Sequence, residues 1–186
     1  IGKPSREQLD AWTIRVHVHT LSDTASHSGD IPRAWEDVPN RLRKDVTLRI
    51  AYIDALLATG SQTHAERELR QMLKTTWHPK LVLRYGEIST DDPNAQLEQA
   101  ERWLGKHGDD AELLLTAGRL CMANKLWGKA RSYIESSLAT RPMPAAYASY
   151  GQLLTQLGES GAAADAFRQG LAIVADDTLA LPKPLD

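Results

Sequence analysis

The strongest constraint on the fold of this 186-residue chain is an internal repeat. Two segments carry large and small side chains in the same order, and in each an alanine follows a glycine after twelve residues. The two copies are Leu114, Ala117, Gly118, Cys121, Ala130 and Ile134, and then Tyr147, Tyr150, Gly151, Leu154, Ala163 and Phe167. Self-similarity at a period of roughly 20–50 residues marks stacked supersecondary units, so the 33-residue step between the glycines predicts a repeat protein.

The small residues of the repeat indicate how one unit packs. A glycine at position 118 or 151 lets the second helix of the same unit approach closely, and Ala130 and Ala163 are the matching small residues on that second helix. We expect the large side chains to fill the space between adjacent units; these are Leu114, Ile134, Tyr147 and Phe167.

The composition predicts helices rather than strands. The chain has 24 Ala and 25 Leu against 8 Ile and 6 Val, and Ala and Leu favour helices whereas β-branched residues favour strands. Breaks rich in Gly, Pro and Asp separate short segments with helical periodicity. The sequence therefore predicts an all-α protein.

The period and the small residues resemble the tetratricopeptide repeat, which has about 34 residues. Partial copies begin at Arg49 and Val82. The resemblance implies a right-handed α-solenoid of antiparallel helix pairs. We predict N-terminal helices forming a degenerate repeat over 1–45 and a tail over 177–186. Between them we predict four repeats, over 46–78, 79–110, 111–143 and 144–176.

Several local signals predict where helices begin. Thr63 and Glu66 have the spacing of a capping box, and a further helix is expected over Lys80–Ser89. The carboxylate pairs Asp91–Asp92 and Asp109–Asp110 each precede a helix. We interpret both pairs as helix caps, with calcium binding or acid–base chemistry as the alternatives.

Charge and cysteine content exclude several classes of protein. With 22 Lys and Arg against 24 Asp and Glu, the net charge is −2, which argues against a nucleic-acid surface. The single cysteine, Cys121, can form neither an internal disulfide nor a Cys-rich zinc site, and it falls at a repeat position that packs inside. No apolar run approaches the ~20 residues that span a bilayer, and no signal peptide opens the sequence. We expect a soluble domain, cut from a longer protein.

Several segments resemble the C-terminal repeat region of HemY proteins, and the resemblance extends over about residues 35–171. The segments are Trp35–Pro39, Ala65–Glu66, Leu81–Gly86, Leu115–Cys121 and Leu126–Tyr133. HemY proteins are bacterial inner-membrane proteins in which two N-terminal membrane helices precede a soluble helical-repeat domain. They are associated with late protohaem synthesis and with no defined catalytic step. The resemblance implies a scaffold domain on the cytoplasmic side of the inner membrane, reached through an N-terminal anchor outside this sequence, with haem-biosynthesis enzymes as partners.

The residues that could carry chemistry form no catalytic or metal-binding pattern. The six histidines lack the i, i+3 or i, i+4 spacing of a helical metal pair; they are His17, His19, His27, His64, His78 and His107. The glycine-rich segment at Gly158–Gly161 lacks the Lys and Ser or Thr of a phosphate loop. We therefore predict no enzyme, no metal and no cofactor. Haem or porphyrin carriage, through a groove histidine or aromatic residue, is the alternative function.

The predicted binding surface follows from the tetratricopeptide resemblance, because the first helix of each such unit lines a concave face where peptides bind. The matching positions are Thr47, Ile50, Asp54, Leu83, Glu87, Glu112, Leu115, Arg119, Met122, Ala148, Gln152 and Thr155. Arg119 and Met122 are predicted to point away from the packing positions and to anchor a partner. The set lacks a Lys and Arg cluster, so the C-terminal carboxylate of a chaperone is not an expected ligand.

Overall fold

The computed structural model describes residues 3–179, and the side chains of residues 3–175. Helices make up about three-quarters of the described residues, and none of these residues lies in a strand. This confirms the predicted all-α, tetratricopeptide-like fold class. The chain divides into two compact units, one ending at Asp91 and one beginning at Asp92.

The described residues of the first unit form five helices, and α3 packs against the other four. They are α1 (Arg6–Ser26), α2 (Ile31–Glu36), α3 (Val46–Ala58), α4 (Gln62–Thr75) and α5 (Pro79–Tyr85). Part of the core is a cluster of Val38, Leu42 and Leu48, against which Trp35 and two α1 side chains pack. Trp35 also stacks on Tyr52 of α3, with ring centroids 4.6 Å apart.

The second unit contains α6 and two successive helix pairs. Its helices are α6 (Pro93–His107), α7 (Ala111–Ala123), α8 (Trp127–Thr140), α9 (Pro144–Gln156) and α10 (Ser160–Leu179). Helix α7 packs against α6, α8 and α9, and α9 packs against α10. Helices α7 and α8 lie within the range predicted as the repeat 111–143, and α9 lies within the range 144–176, whereas α10 extends three residues beyond it.

The predicted repeat 79–110 is divided between the two units. Helix α5 has only seven residues and packs against α3 and α4, whereas α6 packs against α7. Helix α5 also ends four residues earlier than predicted, at Tyr85. After Gly86 the chain turns so that Ile88 enters the core with 3% of its surface exposed.

Acidic caps begin four of the described helices, and the first of them, Asp30 before α2, accepts a hydrogen bond from Arg33 N at 3.1 Å. The carboxylates of Asp45, Asp92 and Asp110 each accept a hydrogen bond from the backbone N–H three residues later, which satisfies a donor that lacks an intrahelical partner. The helix-cap interpretation is therefore confirmed for Asp92 and Asp110.

The capping box predicted at Thr63 and Glu66 was wrong. Gly60 has a φ of 76° and closes the α3–α4 turn, which Ser61 reinforces by donating its N–H to Leu56 O. Helix α4 therefore begins at Gln62 after Ser61, so Thr63 already lies inside the helix.

Helix α10 continues to Leu179, so the first three residues of the predicted tail are helical. The remainder of that tail, 180–186, lies outside the described residues.

The two glycines of the repeat lie where their helix pairs approach most closely. A β carbon on Gly118 would lie 2.5 Å from Cγ1 of Ile134, and one on Gly151 would lie 2.6 Å from the ring of Phe167. Ile134 and Phe167, predicted to fill the space between units, therefore pack against the glycine of their own helix pair. Ala130 and Ala163 are buried beside these contacts, with 0% and 3% of their surfaces exposed.

Candidate partner-binding surface

The predicted binding residues fall on both units. Five of them are exposed: Thr47, Glu87, Ala148, Gln152 and Thr155. Another five are half-buried: Ile50, Asp54, Leu83, Arg119 and Met122. Each unit therefore presents its own part of the predicted surface, on α3 and α5 in the first and on α7 and α9 in the second.

Two of the predicted residues are not available to a partner. Leu115 is 0% exposed and Glu112 is 7% exposed, because residues 111–118 of α7 are buried on every side. The buried Glu112 carboxylate pairs with the guanidinium of Arg141, which also contacts the sulfur of Met143 at 3.3 Å. Glu112 is therefore part of the packing of this unit, as Leu115 is.

In the first unit, an ion-pair network fixes the surface between α3 and α5. Arg84 donates from Nε to Asp54 Oδ1 at 2.8 Å and from Nη1 to Glu87 Oε2 at 2.6 Å. Burial opposes the charge on Arg84, but the hydrogen bonds to Glu87 and Asp54 prevail and raise its pKa. Two predicted residues are thereby joined by an arginine that the sequence analysis did not single out.

Predicted binding residues of α3 line two cavities in this unit. One, of about 660 Å³, lies between α1 and α3, and its lining is mostly Ala and Ser; the lining residues are Val18, Ser22, Ala25, Ser26, Ser28, Ala51, Asp54, Ala55 and Ala58. The other, of about 410 Å³, is lined by Val46, Thr47, Ile50, His78 and Lys80. Three predicted residues, Thr47, Ile50 and Asp54, therefore line recesses large enough for side chains of a partner.

In the second unit, Arg119 connects two first helices of the repeats. Its Nε donates to Ser149 Oγ at 3.0 Å, and Ser149 is only 3% exposed. Arg119 was predicted to be a surface anchor without a packing role, and this contact gives it such a role. The exposed residues Ala148, Gln152 and Thr155 of α9 remain accessible.

A buried arginine on α3 joins parts of the first unit through hydrogen bonds. Arg49 is 6% exposed and donates to Arg43 O at 2.9 Å and to Met72 O at 3.2 Å. Burial lowers its pKa. The carbonyl of Met72 belongs to the last turn of α4, whose partial negative charge favours a cation. One sequence signal could have identified this buried residue: Arg49 is the first residue of a partial repeat copy, and that position packs inside in the repeat.

The residues that the sequence analysis considered for chemistry include Cys121 and the side chains that could bind a metal ion. Cys121 is fully buried, and burial raises the pKa of its thiol to about 11. Within residues 3–175, no three His, Cys, Asp or Glu side chains come together as a possible metal site. No helix in the described part of the chain is long and apolar enough to cross a bilayer.

The chain matches no family model, but it is similar to curated proteins and to solved structures. It is 27% identical over 140 residues to the protein HemY of Escherichia coli K12 and, with the same figures, of Shigella flexneri. The match covers 75% of this chain and 35% of each relative, so the chain spans about a third of their length.

Solved structures of MamA have a similar fold. MamA 41-end from Desulfovibrio magneticus RS-1 has a TM-score of 0.53 and 14% identity, covering 88% of this chain and 96% of that chain. A second MamA crystal structure has a TM-score of 0.50 and 16% identity, covering 94% and 98%. In sequence the chain is similar to HemY, and in fold it is like a tetratricopeptide-repeat domain. The resemblance to HemY drawn from the sequence is confirmed, and MamA supports the fold alone.

Proposed function

We propose that this HemY-like domain is a non-catalytic scaffold that gathers proteins of late protohaem and porphyrin synthesis. The observation that carries the proposal is the sequence match to HemY on a chain built of tetratricopeptide-like helix pairs. The proposal places the domain at the bacterial inner membrane, on its cytoplasmic side, through an N-terminal anchor outside this sequence.

The physical support for a scaffold is a surface in which exposed residues lie beside side chains held by hydrogen bonds. On α9, Ala148, Gln152 and Thr155 are exposed, while the neighbouring Ser149 is held by Arg119. On α3, Asp54 is held by Arg84. A surface already fixed before binding loses less conformational freedom when a partner docks, which favours affinity.

The proposal is tested with the full-length, membrane-anchored protein. Ala148→Arg with Gln152→Arg changes two exposed residues one turn apart on α9, and Ser132→Arg with Ser136→Arg is the matched control on α8. We expect the α9 variant to lose co-purifying enzymes of porphyrin synthesis while its melting temperature stays within a few degrees of the parent, because exposed changes cost about 0.5 kcal/mol or less. The α8 control should retain them.

Equal recovery with both variants would contradict the assignment of the surface, and the absence of any porphyrin-synthesis enzyme would contradict the assignment of the partners. Titration of the purified chain with haem separates the scaffold from the alternative of haem carriage. A saturable shift of the Soret band that a single histidine substitution removes would support the carrier instead.

A further inference from the structure

We propose that the cavity between the first turns of α3 and α5 receives an acidic side chain, Asp or Glu, that a partner segment presents beside an aliphatic residue. This inference rests on the proposed function, because it names the chemistry of one contact on the surface assigned there. The cavity has a volume of about 410 Å³, and Val46, Thr47, Ile50, His78 and Lys80 line it.

The sequence around Pro79 explains how His78 and Lys80 reach this cavity. A proline disfavours helical backbone in the residue before it, and His78 is extended, with φ −146° and ψ 133°. His78 therefore caps α5, and its Nδ1 accepts a hydrogen bond from the N–H of Lys80 at 3.2 Å. Because Nδ1 is an acceptor, the neutral ring carries its proton on Nε2 and keeps that donor for another group.

The cavity offers hydrogen-bond donors that have no acceptor partner among the described residues. Within residues 3–175, the ammonium of Lys80 makes no ion pair and the hydroxyl of Thr47 makes no hydrogen bond. The five lining side chains carry one positive charge and no negative charge. The nearest acidic residue in sequence, Asp45, already accepts a hydrogen bond from Leu48 N at 3.1 Å. Charge complementarity therefore favours an anion at this place.

The apolar wall indicates which kind of anion fits. Val46 and Ile50 are half-buried and line the same cavity, so an occupant with an aliphatic part buries apolar surface while its anionic group meets Lys80 and Thr47. Phosphate recognition typically relies on clustered arginines or a helix-terminal loop, and this cavity offers a single ammonium. A carboxylate side chain next to an aliphatic residue therefore uses more of the cavity than a free phosphate does.

The test is a titration of the isotope-labelled chain, followed by amide chemical shifts at fixed ionic strength. The probes are the peptide acetyl-Ala-Leu-Glu-Leu-Ala-amide and the same peptide with Gln in place of Glu. We expect saturable shifts at Thr47, Ile50 and Lys80 with the Glu peptide, and binding about tenfold weaker with the Gln peptide, which corresponds to about 1.4 kcal/mol. Lys80→Met should remove the difference between the two peptides.

Lys106→Met is the matched control, since Lys106 is an exposed lysine in the last turn of α6, and it should bind both peptides as the parent does. Thr47→Val provides a second variant, which keeps the size of the side chain and should weaken the Glu peptide more than the Gln peptide, since a hydrogen bond to a charged acceptor is the stronger one. The dispersion of the amide spectrum confirms that each variant is folded.

Three results would overturn the inference. They are no saturable shift up to about 10 mM peptide, where millimolar binding would be visible; equal binding of the two peptides; and inorganic phosphate binding as tightly as the Glu peptide. If any of these occurs while the α9 variant still loses its partners, the scaffold proposal stands and only the acidic contact is wrong.

Discussion

The α carbon of Gly118 lies so close to the side chain of Ile134 that a β carbon on the glycine would sit 2.5 Å from Ile134 Cγ1. The separation of sixteen residues recurs between Gly151 and Phe167, where a β carbon would sit 2.6 Å from the ring. In both helix pairs of the second unit, the same contact therefore determines how closely the two helices of the pair approach.

Gly118→Ala should lower the free energy of unfolding by about 1–3 kcal/mol, because overpacking forces side chains or helices apart. Gly105→Ala is the matched control: Gly105 lies in α6 with nothing within 4 Å of an added β carbon. The control should be neutral or stabilising by up to about 1 kcal/mol, since alanine favours a helix over glycine. Urea denaturation of both variants measures the difference, and equal stabilities would contradict this packing.

A double-mutant cycle tests whether the residue at position 118 contacts the side chain of Ile134. Ile134→Ala destabilises the parent by leaving a cavity, but it removes Cγ1, the atom that the new methyl group would meet, so in the Gly118→Ala background it makes room. We expect a favourable coupling of about 0.5–3 kcal/mol between the two changes. Strictly additive effects would mean that Gly118 and Ile134 are not in contact.

Gly151→Ala should cost less than Gly118→Ala. The β carbon would meet ring atoms of Phe167, and 39% of the Phe167 surface is exposed, so the ring can turn towards solvent. Ile134 is 0% exposed and has no such space. Thermal melting of the two variants in one buffer gives the order, and a larger loss for Gly151→Ala would contradict this reasoning.

The packing glycines and aspartate caps of the second unit could be predicted because these determinants are local or repeat at a fixed interval. Gly118, Ala130 and the aspartate caps act on neighbouring turns or on the partner helix, so their pattern is visible along the chain. The contacts of Arg119 with Ser149 and of Arg84 with Asp54 each join residues 30 apart. The resemblance to the repeat assigned Arg119 and Asp54 to an open face, and it carries no information on which side chain from another helix reaches them.

The burial of Leu115 was missed for a related reason. A resemblance to a repeat indicates which positions line the concave face in other proteins. It does not indicate which neighbouring helices cover those positions in this chain. Residues 111–118 of α7 are all buried, and α7 has α6, α8 and α9 as neighbours. In contrast, the capping box at Thr63 failed because the turn at Gly60 starts α4 two residues earlier, at Gln62.

Arg49→Met should destabilise the chain by about 1–3 kcal/mol, because the carbonyls of Arg43 and Met72 lose their buried donor. Arg67→Met is the control, since the Arg67 side chain is 60% exposed and its loss should change stability by about 0.5 kcal/mol or less. Denaturation midpoints of the two variants provide the comparison. An unaffected Arg49→Met protein would show that its hydrogen bonds contribute nothing to stability.

Cys121 should react slowly with a thiol reagent at pH 8 in the folded chain and quickly after unfolding. Burial raises the pKa of its thiol to about 11, above the value of about 8.5 in an unfolded chain, and the thiolate is the reactive form. The folded state therefore holds the proton more tightly between these values, so this group's contribution to stability is lost as the pH rises through that range. Fast labelling of the native protein at pH 8 would contradict the burial of Cys121.

The most direct measurement of the central claim is site-specific photo-crosslinking in the full-length, membrane-anchored protein. A photoreactive residue is placed at Gln152 on α9, at Thr47 on α3, or at the exposed control position Ser136 on α8. The scaffold account predicts adducts with porphyrin-synthesis enzymes from Gln152 or Thr47 and none from Ser136. Adducts from Ser136 alone, or no adduct with such an enzyme from any of the three positions, would contradict it.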